Sequence, residues 1–189
     1  MKFINEAASI VWNSTSEHFN PKAELTDSVF EGNSATFIAV DNVIEAHRNE
    51  ATPFGPYKGL NRQYLGETTI DYYNHLMVRL NDSKAIEEFA DQVFGAKEEI
   101  KIGSGFIVYS KKHAFGARIH KPDGRIINVD VSTALPETEG KKNKVKSFRL
   151  SIPELEQGDV LEYFRFIRQY FLGDQKTGLD LRIFMQYPT

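Results

Sequence analysis

The stretch YLGETTIDYYNHLMVRL, residues 64–80, decides the fold class. Tyr64, Ile70, Tyr72, Leu76, Val78 and Leu80 share one parity, and Glu67, Thr69, Asp71, His75 and Arg79 share the other. Side chains alternate across a strand with a period of two, so the pattern predicts one long strand with an apolar face and a wet face. Upstream, SATFIAVDNVIEA (34–46) is apolar on both parities as far as Val40, as in a strand covered on two sides. Between them, residues 48–63 carry Pro53, Gly55, Pro56 and Gly59 and read as a long loop.

Downstream, the rhythm breaks once. In NDSKAIEEFADQVFG (81–95), Ile86, Phe89, Ala90 and Val93 fit helical spacing, with Asp82 or Ser83 as a cap and Gly95 as a stop. Strands then resume in GFIVYSKKHAFGARIHKP (105–122) and RIINVDVS (125–132). Between these runs, Pro122-Asp123-Gly124-Arg125 has the composition of a hairpin turn. GKKNKVK (140–146) reads as a solvated basic loop, KSFRLSIP (146–153) as a strand and ELEQGD (154–159) as a turn. VLEYFRFIRQYFLG (160–173) and GLDLRIFMQYP (178–188) read as further strands. At the N-terminus, Phe3, Ala7, Ile10 and Val11 follow a helical spacing, and residues 13–33 read as a polar connection. The expected fold is mainly β: an antiparallel sandwich of about eight strands with one or two short helices. Residues 1–30 form the helix and connecting segment, and residues 31–189 form the sandwich. Strands do not alternate regularly with helices, which argues against a doubly wound sheet.

Composition narrows the function. The 189 residues are enough for one large domain, with or without an appendage. Lys plus Arg is 23 against 26 Asp plus Glu, a net charge of −3, so the basic footprint of a nucleic-acid binder is missing. Cysteine is absent, which excludes disulfides, thiolate metal sites and cysteine nucleophiles. No apolar run approaches the ~18 residues of a membrane-spanning helix. Residues 1–19 have no apolar core of signal-peptide length. The chain is therefore expected to be either not exported or a piece of a longer exported protein.

Catalytic patterns are not found. The five histidines (His18, His47, His75, His113 and His120) form no paired metal motif. Gly103-Ser104-Gly105 lacks the spacing of a nucleophile elbow and reads as a turn. Glu154 and Glu156 fall in a turn, where acids are solvated. Glu162 is different, because it shares a parity with Val160, Phe164 and Phe166 inside an apolar strand. If that face is core, Glu162 needs a cation such as Arg118, Arg149 or Arg165, and the expected role is a buried pair that sets strand register. No catalytic residue, metal ligand or cofactor is assigned. Phe54 and Tyr57 in the 48–63 loop, with Tyr64 and Tyr72, are candidate contacts for a glycan or peptide, since aromatic loops dock such partners.

Two separated motifs carry a family resemblance. Ala117-Arg118-Ile119-His120-Lys121-Pro122-Asp123-Gly124-Arg125 is followed by Leu150-Ser151-Ile152-Pro153 and then Gln157-Gly158-Asp159-Val160-Leu161-Glu162-Tyr163. Together they resemble the domain of unknown function 3857, over roughly residues 28–189, with residues 34–38 and 75–81 resembling its first strands. The resemblance implies a non-catalytic antiparallel sandwich that lies N-terminal to transglutaminase-like domains in bacterial, often Bacteroidetes, envelope proteins. It implies a periplasmic or extracellular location, and a transglutaminase-like domain or envelope protein as partner. It also marks Pro122, Asp123, Gly124, Gly158, Asp159 and Glu162 as structural motif residues. The helix in 81–95 and the loop at 48–63 depart from the family's shortest pattern.

Overall fold

The computed structural model describes residues 2–13, 17–22, 32–53, 64–102, 106–140 and 144–172. Within them, nine strands and two α-helices run in the order α1 (Lys2–Asn13), β1 (Ala35–Pro53), β2 (Tyr64–Leu80), α2 (Ser83–Phe89), β3 (Asp91–Gly95), β4 (Glu98–Ile102), β5 (Phe106–His120), β6 (Ile126–Asn128), β7 (Leu135–Glu139), β8 (Lys144–Ser151) and β9 (Val160–Leu172). The strands form two antiparallel sheets. The large one has the order β1-β2-β9-β5-β4, with β6 also on β5, and the small one has the order β3-β8-β7. The fold is the expected β-sandwich.

The sheets enclose the main core. Leu76, Val78 and Leu80 from β2, Phe115, Ala117 and Ile119 from β5, and Leu161 and Tyr163 from β9 face Leu150 and Ile152 of the small-sheet side, with Ala85 and Phe89 of α2. The even parity of the 64–80 stretch is thus the sandwich interior. Its odd parity is not wet. Tyr73, His75 and Met77 are buried because α1 and the segment after it lie across that face. Ala7 and Val11 of α1 are fully buried in a second core with Tyr73, Ala114, Phe164 and Phe166. Arg168 ties the helix down, donating to both Asp71 oxygens at 2.7 and 2.6 Å and to Glu6 of α1 at 2.6 Å.

Several boundaries differ from the sequence reading. Residues 48–53 continue β1 rather than beginning a loop. The helix stops at Phe89, and residues 91–95 form β3, so Gly95 is a strand residue rather than a helix stop. Helical spacing carries through Val93, but the carbonyl of Ala90 accepts the N–H of Ile152 at 2.7 Å and the chain turns into the small sheet. Lys144 and Lys146 belong to β8, where they alternate with Val145 and Ser147, rather than to a loop. The strand expected at 178–188 lies outside the described residues.

Close packing over glycine fixes two contacts. Gly116 pairs across β5 and β9 with Phe164, and a Cβ there would sit 2.3 Å from the Phe164 ring. Gly95 lies against the His113 ring, which a Cβ would meet at 2.7 Å. Gly116→Ala is expected to destabilise the fold by about 1–3 kcal/mol through overpacking; an unchanged urea midpoint would contradict this contact. Burial, aided by nearby Lys111 and opposed by Glu98, lowers the His113 pKa from the ordinary 6.5 to about 4. The unfolded chain therefore takes this proton first, and the stability due to neutral His113 is complete above pH 6.5 and declines as pH falls towards 4. A denaturation series over that window should show a shallower pH slope for His113→Gln than for the wild type, and parallel slopes would reject the assignment.

Candidate functional site

Three strands of the large sheet place one polar cluster on the face beneath the N-terminal segment. Glu162 of β9 pairs with Met77 of β2 and Arg118 of β5. Two residues away along each neighbouring strand, on the same face, stand His75 and His120. Glu162 has no solvent exposure. Arg118 donates from Nε to Oε2 at 2.5 Å and from Nη2 to Oε1 at 2.8 Å. His75 Nε2 lies 2.8 Å from Oε1, and His120 Nε2 lies 2.6 Å from Oε2.

A carboxylate has about four lone-pair sites, and here four donors fill them. Both histidines are thereby held with the proton on Nε2. Burial alone would raise the Glu162 pKa, but the hydrogen bonds from His120, His75 and Arg118 outweigh it and hold the carboxyl well below the ordinary range. Aromatic rings cover the cluster. The Arg118 guanidinium lies 4.4 Å from the Trp12 ring centroid, and Phe19 stacks on His75 at 3.9 Å. Excluding water in this way strengthens every interaction beneath the rings.

A second network joins the two motifs directly. Lys121, just before the Pro122-Asp123-Gly124 turn, donates to Asp159 Oδ2 at 2.9 Å, Glu156 Oε2 at 2.9 Å and the Glu154 carbonyl at 2.6 Å. Asp159 Oδ2 also accepts the Glu156 N–H. Gly124 and Gly158 have φ of 91° and 90°, the left-handed region that glycine enters without a Cβ clash. Asp123 turns back on Arg125, accepting its backbone N–H at 3.0 Å and its Nε–H at 2.6 Å. Pro122 and Asp123 are otherwise exposed turn residues.

Of the other candidates, Phe54 and Tyr57 lie outside the described residues, and Tyr64 is placed only as the first residue of β2. Tyr72 is half-buried on the opposite face from Glu162, with its hydroxyl 3.4 Å from Asn42 Oδ1. Arg118 is the partner of Glu162 among the three cations considered. Arg149 pairs with Glu137, and Arg165 donates to Gln92. Sequence reasoning missed His75 and His120. Their signal was parity, since His120 shares a face with Arg118 on β5.

Beside the cluster, at the end of the large sheet, is a cleft of about 600 Å³ bordered by His120, Lys121, Arg79 and Lys22. Among the described residues, no group of three or more His, Asp or Glu side chains is arranged to hold a metal ion. No described helix is long and apolar enough to cross a membrane, which says nothing of strands.

No protein-family model matches the sequence, and no curated protein matches it. A solved structure from the Bacteroidetes species Parabacteroides distasonis, described as a "putative protease", is similar over 53% of this chain and 19% of its own, with 11% identity and a TM-score of 0.41. The region of likeness thus spans less than a fifth of that protein.

The cluster makes a specific demand on stability. Glu162→Gln puts an N–H where donors already converge and leaves Arg118 unpaired, so a loss of about 3–5 kcal/mol at neutral pH is expected in urea denaturation. Because the folded carboxyl pKa is depressed, this contribution is complete above the unfolded value of about 4.3 and declines as pH falls below it. The wild-type advantage over Glu162→Gln should therefore narrow below about pH 4. A difference below about 1 kcal/mol at pH 7 would remove Glu162 as a structural pin.

Proposed function

We propose that this chain is a non-catalytic accessory β-sandwich of a transglutaminase-like envelope protein and works by contacting a neighbouring domain or envelope partner. The observation that carries the reading is an apolar stripe on the edge strand. Phe37, Val40 and Ile44 of β1 are 52%, 45% and 42% exposed. They pair with Val78, Leu76 and Tyr72 of β2, all of one parity. The stripe therefore continues the inner face of the large sheet past the margin covered by the small sheet. Aligned exposed apolar side chains of this kind are suited to a protein contact.

The chemistry of Glu162 agrees with a structural role. Its oxygens are saturated and its charge is held by Arg118, which suits a register-setting pin better than an acid or base. The two motifs that resemble the domain of unknown function 3857 are joined by the Lys121–Asp159 and Arg118–Glu162 pairs, so the residues that carry the resemblance work as one unit.

The test is in the source cells. A photo-crosslinking side chain at Val40 or Ile44 is expected to give a specific adduct in the envelope fraction, absent when the probe is at Ile100 on the opposite sheet edge. Mass spectrometry should map the adduct to a transglutaminase-like region or an envelope protein. Equal labelling from all three positions, or recovery of the chain as a free cytosolic 189-residue product, would overturn the reading.

A further inference from the structure

The edge of the large sheet at β1 is built unlike the other edges. Among the described strands β1 pairs with β2 alone, so main-chain N–H and C=O groups on its outer side meet no described strand. From Ala39 to Asn49 its ladder to β2 runs without a register shift. Resting on the accessory reading above, we propose that this edge accepts one further strand from the partner. That strand is an extended segment with apolar side chains on one parity and Lys or Arg on the other.

Regularity gives the first argument. Sheet edges are ordinarily blunted by short length, lysine, proline or bulges. β3, β4 and β7 follow that rule at 5 residues each, with a lysine in β4 and a proline in β7. β1 does not. Its stretch AVDNVIEAH (39–47) holds no Lys, Pro or Gly, and its register shifts, at Phe37/Ala39 and Asn49/Thr52, leave Val40 to Arg48 in regular pairing. A regular run of this length can hydrogen-bond an added strand through alternate residues, which is the main-chain part of recognition by strand addition.

Side-chain pattern gives the second and describes the strand. On the parity of the inner face, Val40 and Ile44 are exposed. The other parity carries Asp41 and Glu45. More carboxylates lie beside them: Asp71 stands opposite Glu45, and Asp71 shares Arg168 with Glu6 of α1. Among the described residues no hydrogen bond or ion pair holds Asp41. Glu45 lies 3.5 Å from His47 in an exposed pair, and such pairs contribute little.

Charge also selects the occupant. Opposite charges on neighbouring strands stabilise a pair, and like charges placed side by side weaken it. A strand entering here gains from apolar residues beside Val40 and Ile44 and from cations beside Asp41 and Glu45. A second copy pairing through the same edge would instead bring its own Asp41 and Glu45 to this face. The complementary strand therefore belongs to a different, basic segment.

The experiment follows amide hydrogen exchange by NMR in the full ¹⁵N-labelled chain, alone and with synthetic peptides. The probes are Lys-Val-Lys-Ile-Lys-Val-Lys, its glutamate counterpart Glu-Val-Glu-Ile-Glu-Val-Glu, and Lys-Val-Lys-Pro-Lys-Val-Lys, whose proline cannot donate to a ladder. Alternate amides within residues 39–48 are expected to exchange at least about tenfold more slowly once the lysine peptide is bound. The glutamate peptide should bind at least about tenfold more weakly. Glu45→Lys alters an exposed side chain, so its spectrum should remain folded while the lysine peptide binds several-fold more weakly. Equal protection by the proline peptide, equal binding of the two charged peptides, or no protection by about 1 mM would each overturn the proposal. So would alternate amides already slow in the chain alone, which means an edge filled by the chain's own residues. Slowing that grows with protein concentration means a second copy and overturns it too. Adducts from Val40 and Ile44 in cells without alternating protection would keep the accessory reading and remove the added strand; protection without adducts would do the reverse.

Discussion

A carboxylate shut away from water at the middle of the large sheet must be satisfied entirely by its neighbours, and that need constrains the rest of the fold. Glu162 reaches Arg118 on one flanking strand and His75 on the other. Sliding either strand by one residue would turn its donors to the opposite face and leave part of a buried carboxylate unsatisfied. Apolar pairs along β2, β5 and β9 would tolerate a shift by two residues far better. The ion cluster therefore contributes specificity of register, while the area buried between the sheets supplies most of the stability.

The same constraint explains the N-terminal segment. A polar row across the centre of a sheet is weak if water reaches it, because solvent competes for every donor. Trp12 and Phe19 provide the cover, one against Arg118 and the other against His75. The helix is held over the sheet by apolar contacts at Ala7 and Val11 and by the Arg168 bridge from β9 to Glu6. Helix and cluster depend on each other: the helix needs this face to bury its stripe, and the cluster needs the helix to stay dry.

Much of this was legible in the sequence, and what was not has physical reasons. Long strands announce themselves, β2 by its period of two and β9 by an apolar run on both parities. Short edge strands such as β4, with EEIKI, and β7, with LPETE, are charged or proline-bearing because edges avoid stray pairing, so composition hides them. The helical spacing runs on through β3 because Val93 continues it. The polar parity of β2 implies a wet face because one strand's pattern cannot reveal what packs across it. Glu162 stood out as a carboxylate among apolar residues. His75 and His120, drawn from strands 87 and 42 residues away, could be joined to it only once the strand order was known.

The strand order also gives the two family-like motifs a physical meaning. They lie far apart in the chain, yet β5 and β9 run side by side, so Arg118 faces Glu162 and His120 faces Val160. At the end of that ladder, Lys121 crosses to Asp159 and the two positive-φ glycines turn the chain on either side. A lysine with three anionic or carbonyl acceptors locks the β5–β6 hairpin to the turn entering β9, and the N–H of Leu80 donating to the Asp159 carbonyl brings in the end of β2. One corner thus fastens three strands that the Glu162 cluster aligns a few residues further in. Substituting Arg118 or Lys121 in one motif removes the partner of Glu162 or Asp159 in the other.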